Sequence, residues 1–262
     1  MSAIAYSYQS IRLYENARDS LVGKALEEFD EIYKKVAFMD FRDMRRILAV
    51  AYPAWIEKYG LAHAGVTAEF FEKTTGLVAA TTDVENFENS PIDASFRWSF
   101  GGDKRKLAID KDRFMKEIEE SRARWEADKI KRKLKATGEK YILNAGRETI
   151  RKNVDKYEGV KYMRMVSGKK TCDWCLMVAN RGVCTARSRT LGADKYKFHD
   201  NCHCTVVAVP SNEYEKYKKI ARERIKGSEK ANTRAREESA QRGRGRPRKN
   251  KPLYFYACIS AF

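Results

Sequence analysis

The chain has 262 residues, enough for one large domain or two small ones. Lys and Arg number 53 against 36 Asp and Glu, a net charge of +17 that predicts an anionic partner, nucleic acid foremost. No apolar run of about 18 residues is present, so neither a transmembrane helix nor a membrane partner is expected, and residues 1–20 lack the apolar core of a secretory signal.

In chain order, residues 8–36 read as a helix. Ile11, Tyr14, Leu21, Ala25, Phe29, Ile32 and Val36 recur at steps of three and four, and Arg18 interrupts the stripe. A second amphipathic helix covers roughly 40–59, with Phe41, Met44, Leu48, Ala51, Trp55 and Tyr59 on one side and a kink expected at Pro53. A third runs from Thr67 to about Thr75 and stops near Gly76. These stripes are packing faces, and His63 between them reads as a surface or packing residue. Asn86, Asn89, Ser90, Pro91, Gly101 and Gly102 mark a break, inside which Ser95–Phe100 alternates as a short strand does. From Lys104 to about Lys135 the pattern is a charged helix with a thin stripe of Phe114, Ile118, Trp125, Ile130 and Leu134. Another helix follows at roughly 138–156, carrying Tyr141, Ile142, Leu143, Ile150 and Val154.

Residues 160–166 alternate strictly and read as a strand whose following turn delivers Cys172. Thr205–Val209 is a second strand candidate, expected to pair with the first. After Pro210, residues 212–240 return to charged helix, with Tyr214, Tyr217, Ile220 and Ile225 as its apolar side.

The densest chemistry lies between the two strand candidates, in Cys172-Asp-Trp-Cys175 and His199-Asp-Asn-Cys202-His203-Cys204. Thiolates and imidazoles are the ligands a tetrahedral Zn²⁺ prefers. A CxxC pair brings two sulfurs to one ion from a single turn, and HxxCxC returns the others from a distant point. The candidate ligands are Cys172, Cys175, His199, Cys202 and Cys204, read as the CxxC pair plus two of the other three. In an extended segment Cys202 and Cys204 share a face and His203 takes the opposite one. Without a secretory signal, clustered Cys and His favour metal over disulfides. Thiolates dominate and ligands are in surplus, so the expected cofactor is a structural Zn²⁺ rather than a catalytic one with an open position. Such a site contributes ~10–16 kcal/mol of apparent folding free energy.

The expected fold class is therefore mainly α, with a small zinc-stabilised α+β module containing a short β-hairpin near the C-terminal third. Residues 1–135 form an α-helical, partner-docking domain, 136–210 the zinc-binding module, and 211–262 a basic helix and flexible DNA-binding tail.

The segment Gln241–Lys251 holds six positive charges and no acid. Its Gly245-Arg246-Pro247, flanked by Arg244 and by Arg248-Lys249, resembles the AT-hook, which lies in the minor groove of A·T-rich DNA. Inserted arginines exploit the negative potential of a narrow groove. The other reading is a basic tail that neutralises phosphates without reading sequence. Either way Arg242, Arg244, Gly245, Arg246, Pro247, Arg248 and Lys249 are the candidate contacts to double-stranded DNA.

The runs Gly168–Gly182 and Phe198–Val207, with Ala145-Gly146-Arg147-Glu148-Thr149-Ile150 upstream, resemble the Mu F-like minor head proteins of tailed phages, in the branch found in phages of actinobacteria. The likeness covers about residues 140–210. It implies a minor capsid protein of head morphogenesis, located inside the virion in association with portal and capsid proteins, and in the host cytoplasm during assembly. Some relatives are labelled capsid maturation proteases, which makes proteolysis the runner-up. His63 is the one histidine outside the metal cluster to serve as its base. A third reading is a zinc-containing DNA-binding protein acting in the host cell, although the ligand spacing does not match a ββα finger.

Overall fold

The computed structural model describes residues 3–82, 96, 99–100, 123–167, 169, 171–184, 198 and 202–244. Three long helices come first: α1 (Ala3–Val36), α2 (Phe41–Thr75) and α3 (Ala123–Lys156). The expected stripe of α1 is buried at Ile11, Tyr14, Ala25, Phe29 and Val36, and Leu21 and Ile32 pack at its edge. Asp40 caps the start of α2, its side chain accepting the Asp43 N–H at 2.9 Å. Gly76 ends that helix in the left-handed region, φ 72°, and its N–H reaches the Glu72 carbonyl at 2.8 Å. The stop thus falls where the sequence puts it.

Two expected breaks do not occur. The helices read at 40–59 and 67–75 are one helix, α2, because His63 and Ala64 in the stretch between them are buried on its packed side. Tertiary packing outweighs the weak local propensity of Gly60 and Gly65. Similarly, α3 runs unbroken through Gly138 where two helices were expected. This glycine is a close-approach site. A Cβ there would lie 2.1 Å from the Trp55 ring, and one at Gly146 would lie 2.4 Å from His63 and 2.5 Å from Thr67. The two glycines share one face of α3 and let α2 settle against it.

The strand expected at Ser95–Phe100 is also corrected. Phe100 donates to the Phe96 carbonyl at 3.4 Å, a helical turn. Both rings are buried, Phe96 beside Tyr52 and Phe100 beside Phe41. Phe114 and Ile118 lie outside the described residues.

The C-terminal part contains β1 (Val160–Met165), α4 (Asp173–Asn180), β2 (Val183–Cys184), β3 (Thr205–Pro210) and α5 (Tyr214–Arg244). The strands form one antiparallel sheet in the order β2-β1-β3, with Met163 opposite both Val183 and Val207. The expected pairing of β1 with β3 is present, and β2 adds a third strand to the anticipated hairpin. Along β1 only Lys161 is exposed, and the alternation expected there does not give one wet face, because Lys161 and Arg164 stand three residues apart in opposite rows. A central strand covered on both sides buries both of its side-chain rows.

Two apolar cores hold the molecule. One joins α1, α2 and the first half of α3 around Phe29, Tyr52 and Trp55. The other joins Ile11, Tyr14, Phe70 and Phe71 of the long helices to the sheet, α4, and Tyr217, Ile220 and Ile225 of α5. Among the described residues, no helix is long and apolar enough to cross a membrane.

Candidate metal centre

The CxxC turn is fixed from α5. Asn232 of that helix accepts the Thr171 N–H at 3.0 Å and donates to the Thr171 carbonyl at 2.6 Å. The next residue, Cys172, is the N-cap of α4, and its Sγ accepts the Cys175 N–H at 3.3 Å. Cys175 in the first turn is buried. Free amide donors and the helix dipole favour negative sulfur at this end.

The second cluster leads into β3. Cys202 and Cys204 are buried and His203 is exposed, the two-residue alternation the sequence predicts. His203 turns instead to Glu139, Nδ1 to Oε1 3.6 Å, and burial pushes that carboxyl up. The sulfurs of Cys175, Cys202 and Cys204 all lie within 4.8 Å of one another, with Cys175 and Cys202 at 3.6 Å. Tetrahedral zinc with Zn–S near 2.3 Å sets its sulfurs about 3.8 Å apart. Three buried thiols are therefore close enough to hold a metal ion, and their chemistry fits zinc. Cys172 is exposed and stands outside this group of three, although it lines the same cavity of about 530 Å³. Arg18, Asp19, Glu139, Lys169 and His203 also line that cavity and give the sulfurs a polar approach. His199 lies outside the described residues. So do Gly245–Lys249, whereas Arg242 and Arg244 form the last turn of α5.

Arg147 of α3 organises the HxxCxC turn. Its Nη2 donates to the carbonyls of Cys202 at 2.6 Å and Cys204 at 3.2 Å, and its Nη1 donates to Asn144 at 2.8 Å. Burial lowers its pKa to about 10, so it stays charged at neutral pH. Arg164 of β1 is 1% exposed, and its Nη1 faces the Cys175 sulfur at 3.9 Å. Its Nε and Nη2 have no hydrogen-bond partner among the described residues. Both guanidiniums sit 3.8 Å from the centroid of the Phe198 ring. The three thiols shift one another in opposite directions. Hydrogen bonds from Cys175 and Cys204, with help from the charge of Arg147, pull the Cys202 thiol down. The bond to Cys202 pushes Cys175 up. Cys204 is pulled down by its bond to Cys175, yet its bond to Cys202 and burial push it up to about 12. The arrangement is a buried anion trap for a soft cation.

Sequence reading missed Arg164, which stands in the row of Val160, Tyr162 and Val166, opposite the exposed Lys161. Arg147 was visible as part of the family-like motif, without its role. His63, the only candidate base for proteolysis in the sequence reading, is a packing residue. It is 1% exposed, its Nδ1 meets the Ile142 carbonyl at 3.0 Å, and its Nε2 meets the Tyr14 hydroxyl at 3.3 Å. Burial lowers its pKa to about 3.

Neither the curated proteins nor the solved structures include a match to this chain. One family model, described as VG15 protein, matches residues 6–226, from the start of α1 to the middle of α5. That match spans both cores and every described cysteine of the cluster. It points to a phage-related protein. The chain belongs to the VG15 protein family.

Proposed function

We propose that this protein is a minor head component of a phage particle, Mu F-like in character, that associates with the portal inside the capsid. In this reading the cysteine cluster holds a structural Zn²⁺ and the basic C-terminal segment contacts packaged DNA. The observation that carries it is the meeting of Cys175 with Cys202 and Cys204, three buried thiols from two distant segments, in a chain of a phage-related family. The net charge of +17 supports the DNA contact. When bound, zinc would tie α4 to the start of β3 and so clamp the sheet to the helix that follows β1. Arg147 would keep the Cys202–Cys204 turn in place for it.

The test has two parts. Native mass spectrometry of the purified chain, before and after a chelator, should give one zinc per chain, with loss of folded structure on removal. Purified virions should contain the protein at low copy number relative to the major shell protein. A metal-free native chain removes the zinc role, and absence from virions removes the head role.

A further inference from the structure

The charge around the sulfurs is unbalanced until a specific ligand set is assumed. Arg147 and Arg164 are both buried beside the cluster, while the carboxylates lining the cavity face other partners, Asp19 meeting Arg18 at 2.6 Å and Glu139 meeting His203 at 3.6 Å. The partners of Arg147 are a side-chain carbonyl and two backbone carbonyls, all neutral. Arg164 meets a sulfur and leaves two donor nitrogens unmatched among the described residues. The other buried arginines are treated differently: Arg18 has Asp19 at 2.6 Å, and Arg224 has Glu15 at 2.6 Å. Burying a cation without an anion is heavily penalised, so two guanidiniums at one place call for two negative charges at that place.

Zinc with three thiolates and a neutral imidazole carries a single negative charge. Zinc with four thiolates carries two. Among the described residues the fourth sulfur at the cavity is Cys172, which lines it with the other three and already has the Cys175 N–H turned to its Sγ. We propose that Cys172, Cys175, Cys202 and Cys204 form a four-thiolate zinc centre whose double negative charge is neutralised by Arg147 and Arg164. His199 is then not a ligand. Cys172 turns inward when metal binds, and Phe198 packs the two guanidiniums beside the sulfurs. The inference rests on the zinc reading above and goes further by naming its fourth ligand and its counter-charges.

Zinc K-edge absorption on the full chain decides the ligand set. The expected fit is four sulfurs at about 2.3 Å. Three sulfurs with one nitrogen at about 2.0–2.1 Å overturns the four-thiolate centre while leaving structural zinc intact. A chain that binds no zinc overturns both. The counter-charges are read from zinc affinity by competition with a chelator. Arg164→Met and Arg147→Met should each weaken it about 10–100-fold, as loss of an outer-shell partner does. Arg164→Lys should recover part of the loss, and Arg46→Met, on the exposed side of α2, should change nothing. Affinity unchanged in both methionine variants overturns charge neutralisation. Should either variant not fold, the wild-type absorption spectrum still settles the ligands.

Discussion

Replacing Gly146 by alanine tests the packing that sets α3, and with it Arg147, against α2. In an ordinary helix interior the change stabilises by about 1 kcal/mol through propensity. Here the new Cβ would lie 2.4 Å from His63 Cε1, 2.7 Å from its Nδ1 and 2.5 Å from Thr67 Oγ1, where carbon contacts want about 3.5–4.0 Å. Neither neighbour is a loose end. His63 is held at both nitrogens by Ile142 and Tyr14, and Thr67 bonds the His63 carbonyl at 2.7 Å and the Tyr14 hydroxyl at 2.9 Å. Overpacking costs about 1–3 kcal/mol, and a buried hydrogen bond left unmade costs about 1–3 more. Subtracting the propensity gain leaves a net loss of about 1–5 kcal/mol. Gly23→Ala is the control, because nothing lies within 4 Å of a Cβ there, and it should stabilise by up to about 1 kcal/mol. Urea unfolding, followed by helical circular dichroism, reads both variants. If Gly146→Ala were as stable as the parent or more so, the close approach of α2 and α3 at this point would be wrong.

Acid should weaken the fold through His63. The unfolded chain takes up this proton below about pH 6.5 and the folded chain only near 3, so stability is full above 6.5 and falls as pH drops. The slope approaches about 1.4 kcal/mol per pH unit below pH 6.5; it should be missing from the His63→Gln curve and so appear in the difference between parent and variant. Glu15→Ala should destabilise by about 3–5 kcal/mol in denaturant, because it leaves the buried Arg224 without its two-pronged partner at 2.6 and 2.9 Å. DNA affinity of the full chain should fall with salt at a log–log slope of about −4 to −5 if about five phosphates are met, and deleting residues 242–262 should flatten it. A slope unchanged by that deletion assigns the contact to another surface.

Much of the candidate site was legible because its information is local. A CxxC pair and an HxxCxC cluster carry their geometry in their spacing, and the burial of Cys202 and Cys204 around an exposed His203 follows from strand periodicity alone. The long helices were legible in their stripes but not in their lengths. Gly60, Gly65 and Gly138 look like punctuation in one dimension. In three dimensions Gly138 is the space that Trp55 fills. β2 is two residues long and has no period to detect. Arg164 was hidden for a different reason. A charged residue in a strand normally marks a wet face, and here the Cys175 sulfur of α4 and the Phe198 ring are what its guanidinium meets instead of water.

The interruption at Arg18 connects these levels. Its guanidinium does not face water. Nη1 donates to the Thr205 hydroxyl at 2.6 Å, and that hydroxyl donates to Glu15 at 2.7 Å. Glu15 in turn clasps Arg224 of α5. Thr205 directly follows Cys204, so one turn of α1 fixes the first residue of β3 and thereby the second pair of sulfurs. A buried ionic network of this kind adds little net stability but penalises any other docking of the same elements. Here the network ties α1 to the first residue of β3, next to Cys204. Segments 1–135 and 136–210, separable on paper by composition, meet in this network and in the core shared by Tyr14, Phe70 and the sheet. Metal affinity should therefore report on the docking of α1, and a variant such as Glu15→Ala that loosens the helix should loosen the metal with it, although Glu15 touches no sulfur.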